Sequence, residues 1–159
     1  MKKIVLFASI ILASGLLFTN LFTSMIDAKS WGCDIPNSIA AAREYFKNVD
    51  PGDFFRIFSP INQALGVIAL LLFWKTSPFI RLALGLALVC YVSAEAMTFI
   101  YFFPRNDIMF RDANLADIDL LKKTWSEWDS MNWVRTGILL IGVFSSSLSL
   151  HMIYLRNQK

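Results

Sequence analysis

Four stretches of the chain are apolar and nearly free of charge: Ile4 to Ile26, Ile57 to Trp74, Leu82 to Phe103 with Glu95 inside it, and Thr136 to Leu155. Charged and polar residues fill the segments between them. A bilayer core about 30 Å thick is crossed by roughly 20 helical residues, and each stretch has about that length. In lipid a backbone must satisfy its own N–H and C=O groups, which favours helices at these lengths. The pattern predicts an all-α fold, an antiparallel four-helix transmembrane bundle. Its spans lie at about 4–26, 57–74, 79–103 and 133–155, within one integral membrane domain over 1–159. The segments 27–56 and 104–132 are expected to carry helical extensions on the outer side.

Local signals refine these segments. Asp50-Pro51-Gly52-Asp53 reads as a helix start: an acid that can cap, proline at the first helical position, and a second acid three residues on. Span 2 then begins about two turns before its apolar run, with Pro60 inside it. Ser38 to Asn48 is expected to form a short amphipathic helix. Ser77-Pro78 opens span 3, and Pro104 closes it. Leu115, Ile118, Leu121, Trp125, Trp128, Asn132 and Arg135 step by three or four, which draws one stripe on a helix. With Asn114 as its cap, Asn114 to Tyr154 reads as nearly one continuous helix. The first apolar run follows Lys2 and Lys3 and holds a small-residue Ala13-Ser14-Gly15 step. It continues well past the core of a signal peptide, so an uncleaved first helix is expected.

Charge orients the bundle. Lys2, Lys3, Lys75, Arg81, Arg156 and Lys159 share one side with no acid, while of the 12 acidic residues all but Glu95 lie in 27–56 and 104–132. Basic residues in short segments mark the cytoplasmic side, so both termini are expected there, in an inner or plasma membrane. The composition agrees, with 56% hydrophobic and 17% charged residues, fewer charges than a soluble domain carries. A net charge of +3 without a basic, aromatic-interleaved patch gives no basis for nucleic-acid binding. Membrane lipid is the one partner this composition implies directly.

Little of the usual site chemistry is present. His151 stands alone, with no second histidine or cysteine at ligand spacing, so no metal site is expected. Cys33 and Cys90 fall in an outer segment and deep in span 3, too far apart for a disulfide. No Cys-x-x-Cys and no glycine-rich phosphate loop occurs, and no cofactor is expected. Glu95 is the sharpest signal. It lies about 12 Å below the outer end of span 3, where an ionisable group is costly and faces a partner or a cavity. At similar depth the other spans supply Asn20, Asn62, Asn132 and Arg135, and span 3 adds Tyr91 and Thr98. Two readings stay open. Glu95 pairs with Arg135, tied to Asn20 and Asn62, as a fastening of the bundle; or these residues line a pocket. If the stripe faces inward, Trp125 and Trp128 roof that pocket with flat aromatic surface suited to a planar ligand.

The Trp125-x-x-Trp128-x-x-x-Asn132-x-x-Arg135 stripe and Pro104-x-Asn106, with looser matches around Gly15 to Met25 and at Pro60-x-Asn62, resemble the anthrone oxygenase-like family of small four-span membrane proteins. The resemblance covers most of the chain. It implies oxidation of polycyclic anthrones to anthraquinones, as linked to fungal members, without an obvious metal motif. Family members often carry a histidine near the position of Asn132, where this chain has Asn132-Trp133. The catalytic expectation therefore rests on position: Glu95 as base, with Arg135 and Asn132 stabilising the anion. Asn20, Asn62, Tyr91, Thr98, Trp125 and Trp128 are the expected ligand-binding set, for a small hydrophobic or aromatic molecule. The alternative is a non-enzymatic membrane subunit whose outer helices bind a protein partner, with Trp125 and Trp128 exposed as the docking patch.

Overall fold

A computed structural model describes residues 2–111 and 117–156. Those residues form five helices and no strand. We label them α1, Lys2–Gly32; α2, Asn37–Tyr45; α3, Pro51–Leu72; α4, Pro78–Arg111; and α5, Ile118–Arg156. All but α2 are long and apolar enough to cross a membrane. The chain is an all-helical bundle and an integral membrane protein. Around the bundle α1 packs on α3, α3 on α4, α4 on α5, and α5 back on α1. Each neighbouring pair is antiparallel, so short turns suffice at the end that carries the termini. The opposite end is closed by α2 and the extended helix ends, here called the cap.

The start of α3 follows its residues closely. Asp50 accepts from the Gly52 amide at 2.6 Å, and Asp53 accepts from the Asp50 amide at 3.1 Å. Those bonds close a capping box ahead of Pro51. Pro60 sits inside the helix. The short amphipathic helix is present as α2, buried through Ile39 and Ala42. The expected Asn114 cap and Leu115 lie outside the described residues. Within them, Asp117 accepts from the Leu120 amide at 2.9 Å and caps α5, which runs unbroken to Arg156.

Pro104 does not close the third long helix, contrary to expectation. α4 runs on to Arg111. A π-helical turn at Thr98–Phe102 precedes the proline, and the Phe103 amide bonds the Thr98 carbonyl across it. The wider turn opens the ladder where proline lacks its donor, so the helix passes through. α1 likewise outlasts its apolar run, continuing through a π-helical turn at Thr23–Asp27 to Gly32.

The core has three tiers. Leu6, Ala69, Phe73, Ile80, Leu84 and Ile153 pack at the terminal end. Ala13, Leu17, Ala87, Tyr91, Ala94 and Leu139 fill the middle. Under the cap, Trp31, Ile39, Phe102, Met109, Leu121 and Trp128 form the third. Arg43 ties α2 to the end of α4, donating to the carbonyls of Met109 at 2.7 Å and Ile108 at 3.2 Å.

Candidate functional site

Arg135 is the centre of the arrangement. It sits on α5 just below the cap and is only 6% exposed. Its Nη2 donates to Asn132 Oδ1 at 2.6 Å and its Nη1 to Thr98 Oγ1 at 3.2 Å. The guanidinium lies 4.0 Å from the centre of the Phe102 ring and 5.5 Å from that of Phe55. Its Nε is buried and has no hydrogen-bond partner among the described residues. No described acid forms an ion pair with it. Stacking on aromatic faces offsets part of the cost of burying the cation. Arginine suits such a place because its flat, delocalised group stacks and is weakly hydrated.

Two of the three described π-helical turns serve this one residue; the third, Asp107–Arg111, ends α4. Thr98 heads the turn in α4 that also supplies Phe102. Ser24 lies in the turn in α1. Asn132 is fully buried, and its Nδ2 donates to Ser24 Oγ at 2.6 Å, which leaves its Oδ1 turned to Arg135. Ser24 in turn donates to the Asn20 carbonyl at 3.2 Å. Asn20 donates to Thr136 Oγ1 at 2.6 Å and more loosely to the Asn132 carbonyl at 3.4 Å. Single π-turns inside α-helices are often found at functional sites, because they redirect a side chain without breaking the helix.

Two cavities meet at Arg135. A chamber of about 390 Å³ lies under the cap. Its walls carry Trp31, Phe46, Phe55, Phe102, Phe103, Phe110 and Trp128, with Asn106, Thr98 and Arg135 among the polar groups. Trp128 Nε1 donates to Asn106 Oδ1 at 2.8 Å, and the Trp128 ring stands edge-on to Trp31 and Phe102 at 5.2 and 5.3 Å. A second cavity of about 20 Å³ lies deeper, at the junction of all four long helices. Asn62, Tyr91, Glu95 and Ser59 line it, and Phe55, Thr98 and Arg135 line both.

The expected site residues therefore separate into groups. Thr98, Trp128 and Arg135 face the chamber; Asn62, Tyr91 and Glu95 face only the small cavity. Asn20 and Asn132 line neither and stand behind Arg135. The expected Glu95–Arg135 ion pair is absent. Glu95 is half-buried and makes no hydrogen bond or ion pair with a described residue. Arg135 is held instead by Thr98 and Asn132, on the cap side of Glu95, and its plane is fixed against Phe102. Asn62 does not join the Asn20 network; it accepts from Ser9 Oγ at 3.4 Å. Tyr91 pairs with Ser146 at 2.9 Å. Trp125 does not roof the chamber. Its Nε1 donates to the Ala28 carbonyl at 2.7 Å, and its indole lies against Gly32, where a Cβ would collide with the ring.

The chamber's phenylalanines were not singled out by sequence reasoning. Asn106 was, through its place after Pro104. Among the described residues no group of three His, Cys, Asp or Glu side chains is placed to hold a metal ion. The two cysteines are free, Cys33 exposed and Cys90 buried. A model of the family described as anthrone oxygenase matches residues 54–145, which covers α3, α4 and most of α5. No curated protein and no solved structure matches the chain.

Proposed function

We propose, for a chain that belongs to the anthrone oxygenase family, that it is a cofactor-independent oxidoreductase acting on a planar, acidic aromatic molecule of the anthrone class. The substrate lies in the chamber under the cap. Arg135 carries this reading. A buried cation with no acid in direct contact is costly, even with Glu95 acting on it electrostatically across the small cavity, and buried charges are paired in most settings. The cost falls when an anion arrives. An anthrone that loses a benzylic proton becomes a delocalised enolate, whose oxygen the guanidinium stabilises. Glu95 is the base. Dioxygen is the oxidant: the CH₂ carbon becomes a carbonyl, one oxygen atom enters the product and the other leaves as water.

The surrounding groups have separate roles. Phe55, Phe102 and Trp128 supply flat surface for the ring system. Asn132 and Asn20 hold Arg135 rather than touch substrate. Tyr91 and Asn62 line the deeper cavity beside Glu95. The distribution of basic residues supports an orientation with both termini in the cytoplasm and the cap outside, in an inner or plasma membrane. Trp128 is 4% exposed and Trp125 is packed on α1, which speaks for a ligand chamber over an aromatic docking patch for a protein.

The test is direct. The protein in lipid nanodiscs is given anthrone in air, and anthraquinone formation is followed by absorbance. Turnover above the protein-free rate is expected, with a loss of about a hundredfold or more in Arg135→Gln. Equal rates in wild type, variant and blank would overturn the proposal.

A further inference from the structure

Glu95 does not line the chamber. It faces only the small cavity, which joins the chamber at Phe55, Thr98 and Arg135. A substrate in the chamber therefore has Arg135 and Thr98 beside it and the base beyond them. The small cavity has about 20 Å³, and a water molecule needs roughly 10–15 Å³ and two to four polar partners. Arg135 Nε is buried and lacks a protein partner. Glu95 and Asn62 line the same small space. Buried donors of this kind are almost always satisfied by protein or by an ordered water.

We infer that this cavity holds one water that accepts from Arg135 Nε, donates to Glu95, and relays protons between the chamber and Glu95. The water site stands on the geometry alone; the relay rests on the function proposed above. In the relay the substrate C–H proton passes to the water, and one of the water's own protons passes to Glu95. The electron pair of the C–H bond stays on the substrate as its enolate. One O–H bond forms on the water as another breaks, one forms on Glu95, and no carbon–oxygen bond forms in this step. Arg135 then has two roles from one position: its Nε steers the water, and the Nη N–H bonds not used by Thr98 and Asn132 meet the developing anion. Glu95 stays out of direct contact, so a carboxylate does not compete with the substrate for the guanidinium.

Filling the cavity tests this. Ala94 and Ser59 line the small cavity and not the chamber. Ala94→Val intrudes from α4 and Ser59→Val from α3. Binding is read by quenching of tryptophan fluorescence with anthraquinone, since Trp31 and Trp128 line the chamber. Proton abstraction is read, without oxygen, as the visible absorption of the anthrone enolate. Both valine variants are expected to bind anthraquinone as wild type does, and to form the enolate about a hundredfold more slowly. Ala94→Ser, which leaves room and adds a hydroxyl, keeps a near wild-type rate. A wild-type rate in either valine variant that still binds anthraquinone overturns the relay and leaves the proposed function standing. Wild-type protein that neither binds anthraquinone nor ionises anthrone overturns both.

Discussion

The two halves of the bundle use the same four helices in opposite ways. Toward the termini, side chains are small or simply apolar, and the helices close on each other. Ser145, Ser146 and Ser149 are buried along α5, and Gly142 lets α4 approach so closely that a Cβ there would lie 2.7 Å from Tyr91 and 3.1 Å from the Cβ of Cys90. Small residues at a helix interface in lipid give that packing, where no hydrophobic force between helices is available. Toward the cap the spacing opens. Asn20, Ser24, Asn132 and Arg135 are buried there, three π-helical turns distort α1 and α4, and aromatic rings line a chamber. The contrast teaches where each half gets its definition. One half is specified by contact, so it tolerates no added volume. The other is specified by hydrogen bonds that fix one cation, so it tolerates no lost partner.

The largest effects belong to the open half. Arg135→Lys keeps the charge but loses the flat group that stacks on Phe102 and bonds Thr98 and Asn132 together. Anthrone turnover in this variant is expected to resemble that of Arg135→Gln, a loss of about a hundredfold or more, because a lysine ammonium is a point charge that cannot reproduce the fork. Recovery of most of the rate by lysine would mean that charge alone matters there and that the π-turns have another purpose.

Next comes the closed half. Gly142→Leu drives a side chain into Tyr91 and Cys90, and overpacking of this kind costs about 1–3 kcal/mol. Thermal melting in detergent should fall accordingly, and anthraquinone binding to whatever remains folded should not change. Ser24→Ala makes the reverse comparison. It strands the Asn132 amide, a buried donor whose desolvation costs about 1–3 kcal/mol when unpaired. Here stability should fall by a similar amount, but turnover should fall with it, because a freed Asn132 amide no longer presents its oxygen to Arg135. Equal turnover in Ser24→Ala and wild type would remove the network from the site.

These halves were not equally legible in the sequence. The four apolar runs and the Asp50–Asp53 capping box depend on spacing within one helix, and both appear where the residues put them. Rise along a helix is regular, and Glu95, Asn62 and Arg135 do come together at one cavity. Rotation about the helix was not legible. Glu95 and Arg135 line one cavity, yet Arg135 bonds Thr98 and stacks on Phe102, which a π-turn that no residue pattern announced brings toward it. That same turn carries α4 past Pro104, where a proline ordinarily ends a helix. Trp125 and Trp128 fall on one face by spacing, but they meet different neighbours: Gly32 of α1 beneath one, Phe102 of α4 beside the other.

The smallest expected effect separates two ion pairs at the cap. Lys29 bonds Asp129 at 2.7 Å with side chains 55% and 14% exposed, joining α1 to α5. Lys47 bonds Glu44 at 3.3 Å with side chains 65% and 78% exposed, within one helix end and beside the chamber. Exposed pairs contribute about 0–1 kcal/mol because water screens them and ordering two long side chains opposes them. Lys47→Met should therefore leave the melting temperature where it was. Lys29→Met should lower it slightly, because Asp129 is largely covered and its Oδ1 already lacks a partner. The loss should stay within about 1 kcal/mol, since Lys29 itself reaches solvent. If Lys47→Met proves the more damaging, the rim of the chamber carries structural load that its exposure does not suggest. The cap would then be held from α2 and not, as the Lys29 and Trp125 contacts imply, from the joint between α1 and α5.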